Sequence, residues 1–310
     1  MQIINDTGKP DQRIFVMLSG GSSSDGRIAN NVPVKLSELA TRGFVLDRLP
    51  GGRIMFSYDS PVNNAEPPRV PVRYDKVELS YPGVANLTAV DFFGIRFRLQ
   101  TLDGRGQVRG MLGYSAPTAT IVHSLVSIPG VRRALVKTTG GQFARVLSPQ
   151  LSPNSYPSFR PYVGSMVGRR IVVRGAYFGI PFQTFVYSGR FDNAGSIALR
   201  GTITSGSGRP EEGETLSVNG AVLAPAIYTV DGPYLWGGAT HHVSDNDVYA
   251  VIYRDLIAGF AWGYWGGRYG NDTRSWIGKP PFAAARREHT RYATYNPYAA
   301  VIYKYSNAYG

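Results

Sequence analysis

The chain has 310 residues, enough for one large or two unequal domains, and its 43% apolar content excludes a disordered polymer. There is no Cys, which rules out disulfides, thiol nucleophiles and thiolate metal sites, and four His leave little else for a metal to bind. The net charge is +12, and only six of the 33 basic residues are Lys, leaving 27 Arg. Arginine's forked donors suit carboxylates, phosphates and sugar hydroxyls, so an anionic partner and a merely solvated basic surface both fit.

Gly, Pro and Tyr are plentiful and long runs of helix formers are missing, which favours short strands joined by tight turns. Met1 to Thr7 reads as an opening strand, with no signal peptide and no apolar run of membrane-spanning length. Strands are predicted at Arg13 to Leu18, Gly43 to Leu46, Gly52 to Tyr58, Lys76 to Tyr81 and Val90 to Leu99. A helix is predicted from Thr118 to Ile128, capped by Thr118 and stopped by Pro129-Gly130. Further strands follow at Phe143 to Leu147, Arg170 to Arg174, Phe182 to Tyr187 and Ser196 to Thr204, then an exposed turn from Ser205 to Glu214. A second helix begins near Ser244 or Asp245 and ends at Gly259, followed by an aromatic strand from Phe260 to Trp265 and an Arg- and Tyr-rich tail from Ala283.

Nucleotide and metal chemistry find no support. There is no P-loop, Gly104-x-Gly106 lacks the rest of a dinucleotide fingerprint, and no Gly-x-Ser-x-Gly elbow occurs. His241 and His242 are adjacent and would face opposite sides of a strand, so no metal site and no cofactor are expected. Carboxylate chemistry remains. Glu78 and Asp91 fall on two predicted strands joined by a turn at Pro82-Gly83, so both can project from one sheet face. A carboxylic acid beside a carboxylate can protonate a leaving oxygen and activate water, although solvated or salt-bridged acids fit the same pattern.

Three strings carry a resemblance. Gly52-Arg53-Ile54-Met55-Phe56-Ser57-Tyr58, Val77-Glu78-Leu79-Ser80-Tyr81 and the segment Asn86 to Phe93 resemble, in order and spacing, segments of the glycoside hydrolase family 64 β-1,3-glucanases, relatives of the thaumatin-like proteins. The resemblance continues through Ser127-Ile128-Pro129-Gly130, Phe143 to Leu147 and Gly259 to Trp262. It implies a mainly β fold: a thaumatin-like β-sandwich or barrel with a second, mixed α/β lobe and a cleft between them. Residues 1–112 and 255–310 would form the first lobe and 113–254 the second. It further implies that Glu78 is the general acid and Asp91 the general base of an inverting hydrolysis of β-1,3-glucan. Ser80, Tyr81, Asn86 and Thr88 would bind substrate, with Trp236 and Trp262 as ring platforms for sugars. The protein would act outside the cell or on its surface, with a cytoplasmic location left open.

The chain departs from the family in the loop between the two acids. That loop is three residues shorter, and Val84 and Ala85 stand where the family has a Trp. This and the Tyr-rich tail (Tyr292, Tyr295, Tyr298, Tyr303, Tyr305, Tyr309) motivate a second reading, a glucanase-like protein that binds carbohydrate or self-assembles without turnover. The expected partners are therefore β-glucan, then an acidic polymer or a second copy of the chain through Arg and Tyr. Nucleic acid is a weaker third, since no nucleic-acid motif accompanies the Arg surplus.

Overall fold

The computed structural model describes residues 1–39, 43–63, 67–81, 83, 85–206, 208–282 and 295–307. They form two compact units, one of residues 1–155 with 301–310 and one of residues 156–300. The chain is mainly β, as expected. The division lies elsewhere than residues 112 and 255, because segments 113–155 pair and pack within the first unit.

In the first unit the strands are β1 (Ile14–Ser19), β2 (Ser22–Ser23), β3 (Val34–Lys35), β4 (Leu46–Tyr58), β5 (Tyr74–Tyr81) and β6 (Ala85–Asn86), with a short helix α1 (Leu36–Leu39). They form one antiparallel sheet in the order β3-β1-β4-β5-β6, with β2 also on β4. Alternate residues of these strands, among them Val16, Leu18, Ile54, Val77 and Leu79, bury into one core with Leu36, Leu39 and Leu87. Of the strand predicted at Gly43 to Leu46 only Leu46 is in a strand, as the first residue of β4, which takes in all of the strand predicted at Gly52 to Tyr58. β4 runs through a bulge at Leu49/Gly52, where Gly51 takes a positive φ of 67°. Met1 to Thr7 forms no strand; Met1 instead bonds through its carbonyl to the Phe44 N–H at 2.9 Å.

The strand predicted at Val90 to Leu99 divides into β7 (Phe92–Phe93) and β8 (Arg98–Leu102), which belong to different sheets. The break lies at Gly94-Ile95, whose backbone N–H groups both donate to the buried Asp75 carboxylate at 2.7 and 3.0 Å. Gly94 is also crowded: a Cβ there would lie 2.4 Å from the Tyr74 carbonyl. β8 pairs with β9 (Val108–Gly113). β7 pairs with β11 (Phe143–Leu147), which also takes β10 (Leu135–Lys137). Helix α2 (Thr118–Val126) buries Ile121 and Leu125; Pro117 occupies the cap position that Thr118 was expected to fill.

In the second unit, α3 (Arg160–Ser165) precedes a sheet of β12 (Arg170–Tyr177), β13 (Gln183–Arg190), β14 (Ile197–Ser205), β16 (Leu216–Val218), β17 (Tyr234–Trp236) and β18 (Ala239–His241), in that order. β15 (Glu211–Glu212) pairs with β14 inside the predicted exposed turn. Helix α5 (Val248–Ala261), capped by Asp247, packs on β12 and β13, and α4 (Gly220–Thr229), capped by Asn219, packs on α5. Gly259 does not stop α5. It lies inside the helix because the Trp265 indole fills the space where a Cβ would stand, 2.2 Å from Nε1. Phe260 to Trp265 is thus the end of a helix and a tight turn, with Gly263 at φ 75° and the Trp265 indole N–H donating to the Leu256 carbonyl at 2.8 Å. Among the described residues after α5 there is no strand; a helical turn at Thr273–Trp276 and α6 (Pro297–Tyr305) stand where C-terminal strands were expected. The Arg-rich stretch 283–294 lies outside the described residues.

Candidate functional site

The site grows from the alternation of β5. Lys76, Glu78 and Ser80 share one face, while Val77 and Leu79 bury into the core on the other. Glu78 is opposite Arg53 of β4 on one side and Asn86 of β6 on the other, so three strands meet at the acid. Asp91 does not share that sheet. It sits in the bend before β7, held by its carbonyl accepting the Ser148 N–H at 2.9 Å, in a segment where the Thr88 hydroxyl accepts the Val90 N–H at 3.2 Å.

The two carboxylates nevertheless meet at one cation. The Lys76 ammonium lies against Oδ2 of Asp91 and 3.3 Å from Oε1 of Glu78. The Arg53 Nε donates to the same Glu78 oxygen at 3.0 Å. The Lys76 side chain is 8% exposed, whereas Glu78 and Asp91 are 30% and 34% exposed. An unpaired ammonium at that depth would cost several kcal/mol, and two carboxylates offset it. Two oxygens touching one nitrogen stand no farther apart than two contact lengths, about 6 Å. Beside them Asp75 is fully buried; burial pushes its carboxyl up to about 6 against the pull of three backbone N–H bonds and of Lys76.

The expected substrate-binding residues divide into several groups. Ser80 accepts the Gly51 N–H at 3.0 Å, and Thr88 is 8% exposed and bonded as above, so both hydroxyls hold the backbone around the acids. Asn86 has its side-chain oxygen buried without a hydrogen-bond partner, one strand from Glu78. Tyr81 is half exposed at the end of β5. Trp236, in the second unit, is unsuited to the platform role. His241 stacks on it at 4.4 Å and Tyr249 at 4.3 Å, both nearly parallel, so its two faces are covered by protein. Trp262, also in the second unit, caps α5 with 46% exposure and, among the described residues, has one ring contact, an edge contact to Tyr264. Trp265, its predicted strand companion, is core.

Sequence reasoning missed Lys76 and gave Arg53 no role. The available signal was the spacing: Lys76, Glu78 and Ser80 recur at every second residue of one strand, which puts a cation on the face of the acid. Among the described residues no group of three or more His, Asp or Glu could hold a metal ion, and no helix is long and apolar enough to cross a membrane.

No family model and no curated protein matches this sequence. Among solved structures, a laminaripentaose-producing β-1,3-glucanase in complex with laminaritetraose is similar over 97% of this chain and 87% of that one, at 17% identity and a TM-score of 0.55. That likeness establishes a shared fold. A family 64 laminaripentaose-producing β-1,3-glucanase from Paenibacillus barengoltzii, complexed with laminarihexaose, is similar over 46% of each chain at 18% identity, with a TM-score of 0.35.

Proposed function

We propose that the protein is a glycoside hydrolase of β-1,3-glucan, with Glu78 as general acid and Asp91 as general base. The observation that carries this reading is the convergence of two partly open carboxylates, one from β5 and one from the bend before β7, on one buried ammonium. Ion pairs made only for stability need no such convergence at a solvent edge. In the reaction Glu78 exchanges its contacts with Arg53 and Lys76 for a proton and delivers that proton to the glycosidic oxygen. As the C1–O bond breaks, a water attacks C1 and gives its proton to Asp91, so the anomeric configuration inverts. Inversion calls for carboxyl groups about 6.5–9.5 Å apart with a water between. The acids must therefore open around Lys76, whose ammonium now fills that space. The same opening would have to uncover the orphaned Asn86 oxygen, beside Glu78, for it to accept a sugar hydroxyl.

Reducing-sugar release from laminarin tests the reading, with Glu78→Gln and Asp91→Asn each expected to lose at least about a hundredfold in kcat. Proton NMR of the first product formed distinguishes inversion from retention.

A second reading is favoured by the cationic clamp itself and by the covered faces of Trp236: a glucanase-like protein that holds glucan without cleaving it. It predicts that laminari-oligosaccharides bind to the wild type with no turnover under any condition. A secreted or surface location goes with either reading.

A further inference from the structure

On the outward face of the second unit's sheet, three arginines crowd one place, and among the described residues none of them forms an ion pair with an acid. Ile171, Val173, Phe185, Tyr187 and Leu199 turn inward and are buried, which leaves the alternate positions of β12, β13 and β14 on the opposite face. There Arg170 stands directly across from Arg190, and Arg200 stands directly across from Ser188, two residues along β13 from Arg190. All three arginines are exposed.

Their bonds are to neutral groups. Arg170 donates to the Ser188 hydroxyl at 2.9 Å, Arg190 donates to the Gly168 carbonyl, and Arg200 has no partner among the described residues. Of the nearby acids, Asp272 is taken by Arg174, both Nε contacts lying within 3.1 Å. Glu212, opposite Thr202, shares the outward face diagonal to Arg200 and leaves the facing pair Arg170 and Arg190 without an acid between them. Like charges facing each other across a strand pair destabilise it, so a sheet that keeps three of them around one serine gains when an anion joins them.

We propose that this face binds an acidic polysaccharide of the polyuronate kind. Each guanidinium presents a planar fork that matches a carboxylate, and cross-strand and diagonal neighbours stand roughly 5 and 7–8 Å apart, so three separate carboxylates of one chain reach them. The Ser188 hydroxyl lies among the three arginines, across from Arg200, two residues from Arg190 and bonded to Arg170. The outward positions of 170–176, 184–190 and 198–204 include no aromatic ring, so the stacking platform on which single-stranded nucleic acid rests is missing. The face is separate from the residues of the proposed hydrolytic site, and the proposal does not rest on that reading.

Titration calorimetry with polygalacturonate oligomers tests it on the full chain, alongside laminarihexaose and a single-stranded DNA of equal charge. The wild type is expected to bind polygalacturonate with an affinity that falls steeply with salt. The triple variant Arg170→Gln, Arg190→Gln, Arg200→Gln is expected to bind it about tenfold or more weakly while keeping its Tm and its laminarihexaose response. A second triple variant, to Lys, is expected to recover part of the affinity through charge alone. Absence of polygalacturonate binding at low salt, equal binding by the Gln variant, or tighter binding of the DNA through the same arginines each overturns the proposal.

Discussion

The Lys76 ammonium rests against the carboxylate of Asp91, a residue fifteen positions along the chain and outside the sheet that carries Lys76. Its second contact, 3.3 Å to Glu78, makes the lysine the pin between two acids that no strand pairing joins.

Replacing Lys76 with Met leaves those acids facing each other without the shared cation. The expected loss of stability is about 1–3 kcal/mol, less than for a fully buried pair because both carboxylates reach solvent. Urea unfolding at neutral pH reads it. An unchanged midpoint would mean that the lysine contributes nothing to holding the acids.

Asp255 on α5 carries a distinct pH signature. Its carboxyl points at Gly175 of β12, and burial pushes it from 3.8 to about 6. The folded protein therefore keeps a proton there that the unfolded chain releases at lower pH. This group's contribution is fully present below about pH 4 and is lost as pH rises to about 6. Asp255→Asn should flatten that fall and raise stability at pH 7 by up to about 3 kcal/mol, measured by denaturant titration from pH 4 to 8. Asp75 titrates in the same window, but Asp75→Asn should destabilise, because the Lys76 N–H donates to one carboxylate oxygen and the Gly94 and Ile95 N–H groups to the other, and an amide nitrogen in either place cannot accept.

Arg145 is wholly buried in β11, with its guanidinium 3.8 Å from the centre of the Tyr74 ring and burial pulling it down to about 10. It donates to the carbonyls of Pro68, Val70 and Val72, and so ties the 67–73 segment to the sheet that carries β7. Arg145→Lys should cost about 3–5 kcal/mol in thermal unfolding, since an ammonium cannot reproduce the planar fork or the stacking. A loss under 1 kcal/mol would count against this assignment.

Gly259→Ala, an improvement in an ordinary helix, should here destabilise by about 1–3 kcal/mol. The new methyl would meet the Trp265 indole 2.2 Å away. Trp fluorescence on urea unfolding checks it, and a gain in stability would show that the indole can move aside.

Much of the fold was legible locally. The short apolar runs Ile14 to Leu18 and Phe143 to Leu147 and the alternating residues of Ile197 to Thr204 gave strands within a residue or two of β1, β11 and β14, because a short apolar run or a period of two is written in the strand itself. The helices at 118–126 and 248–261 were found for the same reason, while their ends were missed: Pro117 rather than Thr118 caps one, and Gly259 is a packing gap in the other. α4 was not foreseen, since its nearly all-apolar surface leaves no polar stripe to set its period.

At the site, residue types and order along the chain were enough to single out Glu78 and Asp91, and the every-second-residue spacing already put Lys76 on the acid's face. What the linear order could not contain was the pairing of β7 with β11, which takes Asp91 out of the sheet of Glu78. Nor could it contain the two rings that close over Trp236. Both follow from contacts between residues far apart in sequence, where a strand's backbone seeks a partner strand and a flat indole seeks flat neighbours. Such preferences act only after the chain has brought the partners together.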